Sequence, residues 1–163
     1  MTPTDRLLKI AEKELSNLAD NLIIKTDQGY QAFGKYEIIQ KAQHYLVKRK
    51  GIDITEFGTA KTAISWCVAD KYQQHDLALQ IQRLDARSVW ARECISTRQR
   101  LAQQGSWEFR ETLMAKIQYR IQHKYQIDQE LEKYIKRAKY LQHRGFSNDT
   151  QRTSTHINRK TGS

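Results

Sequence analysis

The sequence predicts a mainly α fold, with a small N-terminal β-hairpin and a long antiparallel α-helical hairpin of coiled-coil character. Three observations carry that expectation. The one proline among the 163 residues is Pro3, so beyond it no ring removes a backbone N–H or clashes with a preceding helical turn. Residues 60–104 and 107–144 each contain neither glycine nor proline. Through both stretches apolar residues recur at alternating spacings of four and three, the repeat of a helical seam.

The opening segment carries a helix start signal. Thr2 suits the cap, Pro3 the first helical position, and Asp5 completes a reciprocal box. Leu7, Leu8, Ile10, Ala11, Leu15 and Leu18 follow at helical spacing, which predicts a helix reaching Asp20. Residues 22–26 are short and β-branched, Asp27-Gln28-Gly29 suits a hairpin loop, and residues 30–33 form the returning strand. A lone hairpin is marginal in water, so it must pack on a helix. A second helix is expected over 35–50. Its apolar face is Ile38, Ile39, Ala42, Tyr45 and Leu46, Lys48, Arg49 and Lys50 complement its C-terminal dipole, and Gly51 stops it. Residues 52–58 read as a linker, and Thr59 as the next cap.

Two long helices account for most of the rest. The first bends at Gln73-Gln74-His75-Asp76 and then presents Leu77, Ile81, Leu84, Ser88, Ala91, Ile95, Arg98 and Ala102 as one seam. A short turn over 103–106 follows, with Ser106 as cap and Glu108 in the first turn of the second helix. Met114, Ile117, Ile121, Leu131, Ile135 and Ala138 form the facing seam, with polar Lys124 and Asp128 in its middle, and Gly145 is the expected C-cap. A turn this short makes the helices antiparallel, and the second spans about 55 Å at 1.5 Å per residue. Residues 147–163 hold one aliphatic side chain, Ile157, and read as a flexible polar tail. The expected organisation is a helix, hairpin and helix subdomain over 1–58, the helical hairpin over 59–146, and the tail over 147–163.

Charge is concentrated in the second half. The net charge is +10, of which residues 1–58 hold +1 and residues 59–163 hold +9. Lys116, Arg120 and Lys124 recur every four residues as a basic ridge, Lys133, Arg137 and Arg144 continue it, and Arg83 and Arg87 add to it from the opposite helix. A clustered basic field is the footprint of a phosphate-binding surface, and equally of a solvated helix face. Arg152, Arg159 and Lys160 make the tail a candidate partner-binding segment.

Catalytic signatures are missing from the sequence. It has no Gly-x-Gly-x-x-Gly, no Walker loop and no Gly-x-Ser-x-Gly. His44, His75, His123, His143 and His156 lack metal-ligand spacing, and Cys67 and Cys94 form no Cys-x-x-Cys. Cys67 beside Trp66 on an apolar face reads as a buried thiol. The expectation is a non-enzyme with no cofactor, no metal and no small-molecule substrate. The N-terminus lacks a signal-peptide layout and no apolar run approaches a membrane span, which predicts a cytoplasmic or virion protein with no membrane partner.

Two resemblances add to this reading. Leu84-Asp85, Ala91-Arg92-Glu93, Arg98, Gly105 and Lys116-Ile117, together with residues 138–147 ending Arg144-Gly145-Phe146-Ser147, resemble repeats of the RecX recombination regulators. That resemblance implies a basic helical protein that binds recombinase filaments, and it assigns no functional residue here. Residues 62–72 and 144–150 are similar to small uncharacterised proteins of tailed phages, which implies a virion or assembly component. Two functions are therefore expected as alternatives. One is a structural or assembly protein with a protein partner or a second copy of itself. The other is a nucleic-acid-binding regulator.

Overall fold

A computed structural model describes residues 2–19 and 22–155, with side chains described for 2–11 and 22–144. Its elements run α1 (Pro3–Ala19), β1 (Ile23–Thr26), β2 (Gly29–Ala32), β3 (Tyr36–Gln40), β4 (Tyr45–Arg49), β5 (Ile52–Phe57), α2 (Ala60–Lys71), α3 (His75–Gln104) and α4 (Trp107–Thr155). The architecture is α+β. A five-stranded antiparallel meander, in sequence order β1 to β5, is covered by helices. This corrects the expected mainly α fold with its small hairpin, because residues 35–50 are not a helix. They form β3, β4 and the loop between them, and the expected linker over 52–58 is β5.

Alternation explains the correction. Tyr36 and Ile38 on β3 and Val47 on β4 point into the core, while Glu37 faces solvent and Lys48 is half-exposed. Strands with one buried face read this way. The turns are equally specific. Lys50 (φ 52°) and Gly51 (φ 78°) both lie in the left-handed region, the requirement of the two-residue hairpin turn that matches strand twist, and Arg49 pairs directly with Ile52. Gly29 pairs with Thr26 across the first turn and with Ile39 of β3. Its φ is 153°, and a Cβ there would lie 2.0 Å from the Ile38 carbonyl oxygen.

α2 is the covering helix. Thr59 caps it by accepting the Thr62 N–H at 3.2 Å, and Thr62, Ala63 and all five residues of 65–69 are buried. Its Trp66 meets Tyr36 edge-on at 6.3 Å and lies 6.0 Å from Phe57. Its Asp70 accepts the Tyr36 hydroxyl and pairs with Arg49 at 2.9 Å. On the other side α2 packs against α3 and α4. Gln73, at φ 57°, ends the helix in left-handed geometry, and the Gln74 N–H closes back on the Ala69 carbonyl at 2.9 Å. One core joins Ala32, Ile38 and Phe57 of the sheet region to α2, to Ile81 and Leu84 of α3, and to Ile127, Leu131 and Ile135 of α4.

α3 and α4 turn at Gly105 and Ser106 and pack along each other. All eight residues of the expected α3 seam are buried or half-buried. α4 continues through Gly145 to Thr155, so it includes the first part of the segment expected to be tail. Residues 156–163 lie outside the described residues. Among the described residues no helix is long and apolar enough to cross a membrane.

The glycine geometry makes a graded prediction. Gly29→Ala should destabilise the fold by more than about 2 kcal/mol, since backbone must move. Gly51→Ala, with open space around its Cβ and only φ strain, should cost about 1 kcal/mol. Urea denaturation of the two variants checks the order.

Candidate functional site

The candidate site is the helical arm, and the expected basic ridge is not one surface on it. Steps of four residues advance about 40° around a helix, so Lys116, Arg120 and Lys124 spiral across the α3–α4 seam. Lys116 is exposed, whereas Arg120 and Lys124 are half-buried. Arg120 lies over the Trp90 ring of α3 at 4.5 Å. Lys124 pairs with Asp128 at 2.6 Å, and Asp128 also accepts the Ser88 hydroxyl. Arg120 therefore clasps α4 to α3, while Lys124 is paired within α4. Arg83, Arg87, Lys133, Arg137 and Arg144 are exposed. The Arg152 side chain lies outside the described residues, as do Arg159 and Lys160 entirely.

The second seam is also redistributed. Ile117, Leu131, Ile135 and Ala138 are buried, joined by Leu113 and Ile127. Met114 and Ile121 instead face solvent, 50% and 44% exposed. With Trp107 and Tyr125, which are more exposed still, they occupy positions 107, 114, 121 and 125, one stripe of a heptad-repeating helix. The same stripe reaches Glu132, where Lys61 of α2 holds it at 2.9 Å. The α4 face that meets α2 through the Lys61–Glu132 ion pair thus continues toward the arm's tip as an exposed apolar strip. Sequence spacing showed that 114 and 121 were apolar at the right interval, but two apolar stripes run down this helix, and only packing tells which one α3 takes.

A different flank of α4 carries a groove of about 640 Å³ lined by Leu77, Gln74, Asp76 and Gln80 near the start of α3 and by Tyr134, Lys136, Arg137, Tyr140 and Leu141. The Arg137 guanidinium lies 5.2 Å from the Tyr134 ring centre. Tyr119, Tyr125, Tyr134 and Tyr140 recur at helical spacing in the sequence, which fits either base stacking or the rim of a core. Lys136, Gln74 and Gln80 carried no signal there.

Buried polar groups complete the inventory. Asp85 is 4% exposed and accepts the Gly58 N–H at 3.1 Å and 3.2 Å through its two oxygens. Burial pushes its carboxyl up to about 6, against the lowering effect of the Gly58 hydrogen bond and of Arg92. It ties the β5–α2 connection to α3. The Cys67 thiol is pushed up by burial and by the nearby Asp70 charge, the opposite of an activated nucleophile. Among the described residues no group of three or more His, Cys, Asp or Glu is arranged to hold a metal ion. Compared with known proteins, the chain matches no family model, no curated protein and no solved structure.

Two measurements follow. A thiol reagent on the native protein should label the half-exposed Cys94 and leave Cys67 unmodified until denaturant is added. The folded state also holds the Asp85 proton more tightly than the unfolded chain, whose carboxyl sits at the ordinary 3.8. Between pH 4 and pH 6 the folded state therefore binds more protons, and this group's contribution to stability falls as pH rises. The stability of Asp85→Asn relative to wild type should accordingly grow over that interval, by roughly 2 kcal/mol, and level off above it. Parallel urea titrations across pH measure the difference.

Proposed function

We propose that the chain is a non-enzymatic structural or assembly protein that docks on protein subunits through the exposed face of its helical arm. The observation that carries this reading is the strip Trp107, Met114, Ile121 and Tyr125, exposed on the α4 face that meets α2 at Glu132. Large apolar side chains aligned on one helix face mark an interaction surface rather than a solvated one. Leu7, Leu8 and Ile10 of α1, also exposed, add a second apolar surface. The similarity of residues 62–72 to small tailed-phage proteins supports placing the assembly in a phage particle. A nucleic-acid-binding regulator is the second reading, and the exposed Lys133, Lys136, Arg137, Lys139 and Arg144 favour it.

Light scattering at low and high salt, with and without a short duplex, tests the first reading against the second. A defined oligomer or a stable complex with a particle subunit, formed without DNA, supports docking. A chain that stays monomeric and forms no such complex removes it. Met114→Ser with Ile121→Ser should abolish association while leaving circular dichroism unchanged. Ile117→Ser, at a site only 3% exposed, should instead destabilise the monomer by about 3 kcal/mol.

A further inference from the structure

The C-terminal half of α4 differs from the rest of the arm in charge. Over residues 133–144 there are five Lys or Arg and no Asp or Glu. All five are exposed, over an axial length of about 16 Å; Lys133, Lys136, Arg137 and Arg144 share one flank of the helix, while Lys139, seven residues after Glu132, lies on the flank of the apolar strip. Lys136 and Arg137 stand on the wall of the groove between α4 and the start of α3. The groove's interior is otherwise apolar and aromatic, from Leu77, Leu141, Tyr134 and Tyr140, with the amides of Gln74 and Gln80 and the carboxylate of Asp76 at its α3 wall. Tyr140 is 62% exposed. Arg83 and Arg87 continue the helical row of Asp76 and Gln80 (offsets of seven and eleven from position 76), so they extend the positive field along α3 on the same side.

We propose that this groove and its basic rim bind single-stranded nucleic acid, with phosphates on the exposed cations and an unpaired base lodged against Tyr140. The charge complementarity is direct, since a polyanion tracking the groove flank of α4 meets Lys133, Lys136, Arg137 and Arg144 with no acidic residue between Lys133 and Arg144. The apolar interior decides between strands. A duplex presents phosphates but keeps its bases stacked inside, and would leave the groove empty. An unpaired base has a flat apolar face for Tyr140 and Leu77 and polar edges for Gln74, Gln80 and Asp76. A protein partner with an acidic surface would satisfy the rim without using the aromatic floor. This inference does not depend on the docking reading, because it uses a different flank of α4 and the opposite end of the arm.

The test is fluorescence anisotropy of the full chain with a labelled oligothymidine of about 20 nucleotides and with a duplex of equal length. The single strand should bind at least about tenfold tighter than the duplex, and its affinity should fall steeply between about 50 and 200 mM salt. Tyr140→Ala should weaken the single strand by about 5- to 50-fold and leave the duplex unchanged, with Tyr140→Phe restoring affinity. Replacing Lys133, Lys136 and Arg137 by Gln should weaken both and lower the salt slope by about 2. Circular dichroism confirms that each variant is folded. Equal affinity for both nucleic acids with no effect of Tyr140→Ala would overturn the proposal and leave an unspecific basic field. Failure to bind either, with binding to polyglutamate or to anionic vesicles instead, would overturn it and assign the surface to an acidic protein or a membrane.

Discussion

The fold depends on one helix that packs against the sheet and against both long helices. α2 lies between the sheet and the two long helices, and its side chains are small enough for all of them to approach closely. Ala63, Ser65, Cys67 and Ala69 are buried, and only Trp66 is large, filling the space between Tyr36 and Phe57. A sheet with one apolar face needs that face covered, and a helical hairpin with polar residues in its seam gains less from self-packing than an apolar one. Each needs α2, and α2 in turn buries nothing useful without both. Polar ties fix its position. Asp70 holds Tyr36 and Arg49 of the sheet, and Asp85 of α3 holds the backbone of Gly58 just before α2 begins. Neither tie is replaceable by apolar packing without leaving a buried donor unpaired.

The arm combines two kinds of interior. Near the body its seam is apolar, with Ile81, Leu84, Leu131 and Ile135 in the common core. Farther out it contains Ser88, Lys124 and Asp128 as a hydrogen-bonded cluster, and Arg120 stacked on Trp90. Two of these contacts cross the seam and fix which residues face each other, because a slip of register would part Ser88 from Asp128 and Trp90 from Arg120. The arm is held in one register at the expense of stability. Its outward apolar residues therefore occupy defined positions.

The two long helices and the turn at Gly105 were legible from the sequence because nothing in 60–104 or 107–144 interrupts a helix. The sheet was half legible. β1 and β2 announced themselves through Gly29. β3 and β4 did not, because Ile38, Ile39, Ala42, Tyr45 and Leu46 satisfy helical spacing as well as Tyr36, Ile38, Tyr45 and Val47 satisfy alternation. Gly51 fits both readings too, since a helix C-cap and a two-residue hairpin turn both want a left-handed glycine. The β-branched and aromatic content of 36–57 is the feature of the sequence that favours strands over a helix there. For the candidate surfaces, the charge bias was visible in the sequence but its division was not. A spacing of four places residues near one another without placing them on one face of a supercoiled pair, and it took α3 to show that Arg120 and Lys124 turn inward.

The sequential layout of this chain has an architectural consequence. Everything the core needs comes from residues before about Leu84 and after about Ile127, and the intervening chain runs outward along one helix and returns along another. The arm is therefore an excursion whose length the body does not sense. Adding one heptad to each helix would preserve every buried position and move the tip outward by about 10 Å. Such an insertion would carry the tip residues Trp107 and Phe109 outward on an unchanged base.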